Sequence, residues 1–280
     1  MKYLLFNAQT NNLKYKEEFE EAKTQIDENE VVDVANIDYV EFLKSLKEED
    51  EAILFGGDGT LNYFINAIGD YTPVNNVYLY PLGTGNDFYF DICGNEAKHP
   101  LLLNEYIKDL PTVYVNGMKR KFINGVGFGI DGYCCEMGDK IKAKNTGKPI
   151  NYAGIAIKGV LFKYRRFKAK VVVDGVEYNY KQVWLAPTMK GRYYGGGMKI
   201  TPEQDRGDSE KQVSSVVYRG ASRIYTLLVF TKIFKGEHVK HKKMVHIVKG
   251  KEVEVTFNRP TALQIDGETV LNVTTYKVTI

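Results

Sequence analysis

The sequence predicts a two-domain chain, α/β in its N-terminal part and all-β in its C-terminal part. Three observations predict it. Over the first ~110 residues short apolar runs alternate with helical stretches, the rhythm of a mostly parallel sheet covered on both faces. Beyond residue 112 the apolar positions switch to period two, broken by turn dipeptides such as Asp174-Gly175 and Lys249-Gly250. Charge divides along the same line: residues 1–100 hold 7 basic and 19 acidic side chains, and residues 101–280 hold 31 and 16.

In the first part, residues 3–6, 31–34, 52–55 and 77–82 are expected as buried strands. Residues 14–28 read as an acidic exposed helix. Residues 40–46 and 61–68 read as helices, the latter with Leu61, Phe64, Ile65 and Ile68 on one side. In the second part, strands are expected at 113–115, 121–124, 170–173, 176–180, 183–187, 212–218, 252–256, 261–265 and 274–280, with helices at 151–164 and 222–234. The boundaries are drawn at 1–116 for the α/β domain and 117–269 for the β-rich domain, a sandwich, with residues 270–280 packing back on the first.

Composition excludes several classes. At 44% hydrophobic and 26% charged over 280 residues, the chain is globular. Its three cysteines, Cys93, Cys134 and Cys135, form no CxxC pair, which argues against a zinc ribbon or a secreted disulfide framework. The opening apolar run is short for a signal peptide, and no stretch reaches the ~18 apolar residues of a membrane span. A reducing cytoplasm is the expected setting. His99, His238, His241 and His246 show no metal-binding spacing.

Two strand ends carry chemistry. The third strand runs into Gly56-Gly57-Asp58-Gly59-Thr60 and the fourth into Gly83-Thr84-Gly85-Asn86-Asp87. Glycines admit tight turns and close ligand approach, and the following helix aims free N–H groups at the same space, so such loops bind phosphate. A carboxylate there, Asp58, repels phosphate unless magnesium bridges them. Parallel strands end at one edge, where open α/β sheets bind ligands. The signatures GxxxxGK[ST], GxGxxG after the first strand, HRD and DFG are missing.

At these residues the sequence resembles the diacylglycerol kinase catalytic-domain family, as in bacterial soluble diacylglycerol kinases, related lipid kinases and sphingosine kinases. Phe55 through Asn62 is similar to its GGDGT block, and Pro81-Leu82-Gly83-Thr84-Gly85-Asn86-Asp87-Phe88 to its PLGTGNDF block. Asn124 with Gly129-Ile130-Asp131, Gly195-Gly196-Gly197 with Pro202, and Asp266-Gly267-Glu268 resemble the later blocks. GGDGT alone also occurs in NAD kinases, which keeps a small-molecule kinase as a more distant reading. The resemblance implies ATP and magnesium as cofactors. ATP would be surrounded by Gly56, Gly57, Asp58, Gly59, Thr60, Asn62, Gly83 and Thr84, with Gly85, Asn86 and Asp87 supporting the loop. Asp58 would take the catalytic magnesium. Glu268 would be the base for the lipid hydroxyl, with Asp131 beside it.

Two departures accompany the match. The family's NPxSG-like first loop is here Asn7-Ala8-Gln9-Thr10-Asn11, which keeps Asn7 and the Thr10 hydroxyl as nucleotide contacts but lacks the proline and glycine. The family's structural-magnesium segment becomes Pro202 through Asp208, keeping Asp205 and Asp208 at changed spacing. From residues alone Glu268 also reads as a surface acid after a hairpin turn, and Asp131 as a strand-end turn acid.

Lys163, Arg165, Arg166 and Lys168, interleaved with Tyr164 and Phe167, read either as a membrane-surface patch or as a solvated basic helix end. The expected partner is a lipid substrate at an anionic membrane, which places the protein peripherally at the inner membrane face. No nucleic-acid motif occurs, and a homodimer is compatible with the sequence. The competing function is a catalytically silent relative that binds lipid or nucleotide.

Overall fold

The apolar runs of the first part become the strands of one sheet in the computed structural model, which describes residues 1–10, 12–83, 85–94, 97–144, 150–220 and 222–280. The chain divides into two units, Met1–Leu110 and Pro111–Ile280. In the first, the order is β1 (Lys2–Phe6), α1 (Leu13–Lys23), β2 (Asn29–Asp33), α2 (Tyr39–Ser45), β3 (Glu51–Gly56), α3 (Asp58–Ile68), β4 (Asn76–Pro81), α4 (Asp87–Cys93), β5 (Leu101–Leu102) and α5 (Asn104–Ile107). The sheet runs β2-β1-β3-β4-β5. Its first four strands are parallel and β5 is antiparallel to β4. Leu4, Leu5, Leu54 and Val77 are fully buried, as strands covered on both faces require. Phe19 of α1 stacks on Phe6 at 4.0 Å and meets Phe55 edge-on at 5.0 Å. On α3 the predicted stripe of Leu61, Phe64, Ile65 and Ile68 is buried.

The second unit contains β6 (Thr112–Val115), β7 (Met118–Lys121), β8 (Gly125–Gly129), α6 (Ile130–Lys144), α7 (Tyr152–Lys158), a π-helical turn (Gly159–Lys163), β9 (Phe167–Val173), β10 (Val176–Met189), β11 (Val213–Arg219), α8 (Arg223–Phe230), two 3₁₀ turns, β12 (Val245–Gly250), β13 (Glu252–Ile265) and β14 (Glu268–Thr279). Its strands pair in the order β12-β11-β10-β8-β13-β14-β6-β7, with β9 pairing both β10 and β13. Two expected strand pairs are single long strands. β10 continues through a register shift between Tyr180 and Val183, and β13 through shifts between Thr256 and Leu263. A bulge bends a strand without ending it, which is why the pattern broke there. The π-helical turn replaces the end of the expected 151–164 helix.

Residues 270–279 lie in β14, which is hydrogen-bonded to β13 and β6 within the second unit. The boundary accordingly falls at Leu110 rather than after residue 116, because β6 pairs with β14.

β8 and α6 were not predicted. In β8, Gly125, Gly127 and Gly129 alternate with buried Val126 and Phe128. Phe128 packs on Phe257 (4.6 Å) and Tyr276 (5.2 Å). The glycine face lies against β10, where a Cβ on Gly127 would stand 2.5 Å from Pro187 Cα and 3.1 Å from Asp131 Oδ2. We expect Gly127→Ala to destabilise the protein by about 1–3 kcal/mol through this overpacking, measured by urea unfolding.

Candidate functional site

In the first unit β3 and β4 run in parallel register with Gly56 opposite Pro81, so both glycine loops leave the same sheet edge. Backbone bonds tie them together. Asp58 N–H donates to Gly85 O at 3.2 Å, and Leu82 N–H to Gly56 O at 3.1 Å. A Cβ on Gly57 would stand 2.8 Å from Gly85 O, so this approach requires glycine. The buried Asn86 carboxamide donates to Leu82 O and Gly83 O. The Asp58 carboxylate completes the strap. It accepts the N–H of Asp87 at 2.7 Å and of Phe88 at 3.0 Å, capping α4. Asn62 is buried behind the loop and accepts from Asn66. Thr60 packs its side chain against Gly56.

The N-terminus of α3 is built differently. Its N-cap is Gly57, and no side chain caps it. Asp58 N–H and Leu61 N–H are taken by carbonyls, which leaves the amides of Gly59 and Thr60 for a ligand. A Cβ on Gly59 or Gly85 would meet nothing within 4 Å, so open space lies against this backbone. Two free amides at the positive end of a helix, beside open glycines, fit a phosphate. Asp58 is the carboxylate beside these amides that would hold a magnesium arriving with phosphates and water. Thr84 lies outside the described residues.

The first loop is arranged inward. Asn7 Oδ1 accepts Gln9 N–H, Thr10 Oγ1 accepts Asn12 N–H, and Asn12 Oδ1 caps α1 through Tyr15 N–H. Asn7 and Thr10 thus satisfy their own loop's amides at the end of β1. Sequence reasoning missed that α1 also holds the second glycine loop. Glu18 Oε2 accepts Gly83 N–H at 2.9 Å and Lys98 Nζ at 3.0 Å. Burial pushes the Glu18 pKa up, but the Gly83 amide and Lys98 outweigh it and hold the carboxyl below its ordinary value.

In the second unit the Asn124 block and the Asp266 block meet. The Asp266 carboxylate accepts three consecutive amides, Ile123 N–H at 2.6 Å and Asn124 and Gly125 N–H at 2.9 Å each. Asp266 and Gly267 hold φ of 45° and 89° and form the tight turn that pairs Ile265 with Glu268. Glu268 is therefore delivered by a pinned hairpin. Its Oε2 meets Arg120 Nη1 at 2.5 Å, and its side chain is half exposed. Arg206 reaches the same place, donating to Ile123 O and Asn124 Oδ1 at 2.5 Å each.

Asp131 opens α6 and is 8% exposed, and neither carboxylate oxygen has a well-formed hydrogen bond. Burial pushes its pKa up to about 7, which the amides of Gly132 and Asp131 and the Gln264 carboxamide do not offset. Gln264 lies beside Asp131, and its Oε1 accepts Gly267 N–H. Arg206, Gln264 and Arg120 went unnoticed in the sequence because none sits at a glycine or acid motif.

In the 202–208 segment the two aspartates accept amides of their own stretch of chain, Asp205 from Gly207 N–H and Asp208 from Glu210 N–H. Among the described residues no group of three or more His, Cys, Asp or Glu side chains gathers around one point. What this segment sends to the Asn124 loop is the guanidinium of Arg206. Lys163, Arg165 and Lys168 are exposed, whereas Arg166 is half-buried and donates to Gly220 O.

Comparison with known proteins follows the same division. Residues 2–111 match the diacylglycerol kinase catalytic domain, and residues 124–278 match the YegS C-terminal NAD kinase beta sandwich-like domain. A diacylglycerol kinase of Mycobacterium tuberculosis is 27% identical over 203 residues, covering 69% of this chain and 63% of that protein. The match thus spans less than two thirds of that relative's length. A diacylglycerol kinase of Bacillus subtilis is 24% identical, covering 80% of this chain and 73% of its own. The crystal structure of a Bacillus anthracis diacylglycerol kinase shares the fold, with a TM-score of 0.66 at 19% identity, covering 99% of this chain and 93% of that one.

Two outcomes follow from this geometry. Asp58→Ala leaves two amides of α4 without their acceptor and is expected to lower unfolding free energy by about 2–3 kcal/mol, with Asp58→Asn losing less, both read by urea titration. Asp131 has a folded pKa above that of the unfolded carboxyl. Its contribution to stability is present at low pH and is lost as pH rises through about 7. Asp131→Asn should flatten that window and exceed the wild type above it by roughly 4 kcal/mol at most, measured by unfolding across a pH series.

Proposed function

Because the chain belongs to the family that joins a diacylglycerol kinase catalytic domain to a YegS C-terminal NAD kinase beta sandwich-like domain, we propose that it is an ATP- and magnesium-dependent lipid kinase acting on the hydroxyl of diacylglycerol or a related lipid. The observation that carries this reading is the uncapped α3 N-terminus, opening beside two glycine loops strapped together by Asp58. It is a built anion site at a sheet edge, within the stretch that matches the diacylglycerol kinase catalytic domain.

The first unit takes the phosphate donor. The Gly59 and Thr60 amides would hold phosphate oxygens, Asn86 fixes the second loop, and Asp58, which straps the two loops together, would hold the magnesium. ATP supplies the transferable phosphoryl group, and magnesium offsets its charge. The second unit takes the acceptor. Oε2 of Glu268 is held by Arg120, and Oε1 remains to accept the hydroxyl proton as the new O–P bond forms and the bond to the departing ADP oxygen breaks. Burial raises the Asp131 pKa to about 7, and beside it Gln264 accepts the N–H of Gly267 in the turn that carries Glu268.

One observation favours the silent alternative: Asn12 caps α1, so the first loop presents no helix terminus to a nucleotide. Both readings are separated by one experiment. The purified chain is assayed with ATP and magnesium against diacylglycerol, phosphatidylglycerol, a sphingoid base and NAD, with calorimetry of ATP binding in parallel. Lipid phosphorylation is expected, with Glu268→Gln slowing it by about 10²–10⁴-fold at unchanged ATP affinity. Lipid binding without nucleotide binding would overturn the kinase reading in favour of the silent one.

A further inference from the structure

The connection from β10 to β11 fastens itself on both sides of Arg206. Buried Thr201 donates its hydroxyl to Gly191 O at 2.8 Å. Buried Gln204 donates its carboxamide to Asp205 O and Gln212 O, and its Oε1 accepts the Ser214 hydroxyl. Asp205 accepts Gly207 N–H at 2.9 Å. A long cation on a surface loop normally swings through many rotamers in water. Here its backbone is held, and the half-buried side chain turns toward the 123–124 segment instead.

The guanidinium spreads its fork over two oxygens, Nη1 on Ile123 O and Nη2 on Asn124 Oδ1. The first belongs to a peptide that is already gripped from its other end. The Ile123–Asn124 peptide gives its N–H to the Asp266 carboxylate and its carbonyl to Arg206. A trans peptide points these two groups in opposite directions. An anion at one end and a cation at the other polarise the group along its dipole, so each bond strengthens the other. Rotation of that peptide plane breaks both at once. The flanking carbonyls are engaged too: Asn124 O accepts the N–H of Lys190 and Gly191, and Gly125 O accepts Asp266 N–H. From Arg206 the route to Glu268 is therefore short, through one peptide, the Asp266 carboxylate and the Asp266-Gly267 turn.

We propose that Arg206 is a positioning residue for Glu268. Its guanidinium fixes the Ile123–Asn124 peptide in the orientation that lets Asp266 clamp the turn, and so sets where the Glu268 carboxylate stands. A solvated loop arginine does not account for two partners more than eighty residues away in sequence. An arginine that waits for a phosphate keeps its fork open, whereas both terminal nitrogens here are engaged with protein oxygens. Lysine, a point charge without a fork, cannot bridge the same pair. The kinetic consequence rests on the lipid-kinase reading, but the positioning itself is measured without substrate.

The test compares R206A and R206K with the wild-type full chain in two measurements. The first is native-state amide hydrogen exchange without ATP or lipid. In R206A the amides of residues 123–125 and of Gly267 are expected to exchange about tenfold or more faster, with those of α3 unchanged. The second is kinase turnover with ATP, magnesium and diacylglycerol. R206A is expected to lower kcat about tenfold to a hundredfold at unchanged KM for ATP. R206K should recover part of this loss, and methylguanidinium added to R206A should restore part of both kcat and amide protection. If R206A does not fold, as read by circular dichroism, R206K carries the comparison. Unchanged exchange at residues 123–125 and 267, a raised KM for ATP at unchanged kcat, or an R206K variant equal to wild type in both measurements would overturn the proposal. An inactive wild type would defeat the lipid-kinase reading alone, and the exchange comparison would still decide whether Arg206 holds the turn.

Discussion

A carboxylate closed over consecutive backbone amides is the interaction on which both candidate sites depend. Asp58 does this for the first two amides of α4, and Asp266 does it for three amides of the 123–125 segment. In each case the chain leaves a strand, turns through glycine or positive φ, and would otherwise have unpaired N–H groups. A carboxylate satisfies several of them at once with short, charge-assisted bonds. Neighbouring groups are then placed as a by-product. The α3 terminus is left open because its own acid is turned toward the other loop, and Glu268 is aimed by a turn whose preceding residue is clamped.

The second unit uses absence as well as bonding. Glycines at every second position of β8 create a side-chain-free face, and the Asp131 carboxylate sits against it. Low polarity there disfavours the ionised form, whereas Asp58 and Asp266 are surrounded by donors. Three aspartates in one chain therefore hold different roles through environment alone. The thiols of Cys134 and Cys135, near Asp131, are pushed up to about 12 by burial first and by Asp131 second, which marks the same pocket as hostile to negative charge.

Much of this was legible in the residues, and the illegible parts share a cause. The parallel sheet followed from apolar runs of Leu4, Leu54 and Leu79 spaced by helical stripes. The loop residues followed from Gly56 through Thr60 and Gly83 through Asp87. What Asp58 touches did not follow, since an acid inside a phosphate loop suggests a metal before it suggests a helix cap. β8 was invisible because Gly-Val-Gly-Phe-Gly has few of the side chains by which strands are recognised. α6 was hidden because its buried positions, Ile130, Asp131, Gly132, Cys134 and Gly138, include a single large apolar side chain and form no apolar stripe. Arg206 escaped notice because its partners lie far away in sequence, on a loop whose shape only Asp266 creates.

The glycine face of β8 also bears on how this sequence can drift. Position 127 is crowded by a proline backbone on one side and a carboxylate on the other, and at position 132 an added Cβ would run into the carbonyl of Ala262. A larger residue at either site becomes tolerable only after a neighbour has shrunk or moved. Changes here should consequently arise in compensating sets and in a particular order. The history of this strand would then be recorded as correlated substitutions among its neighbours.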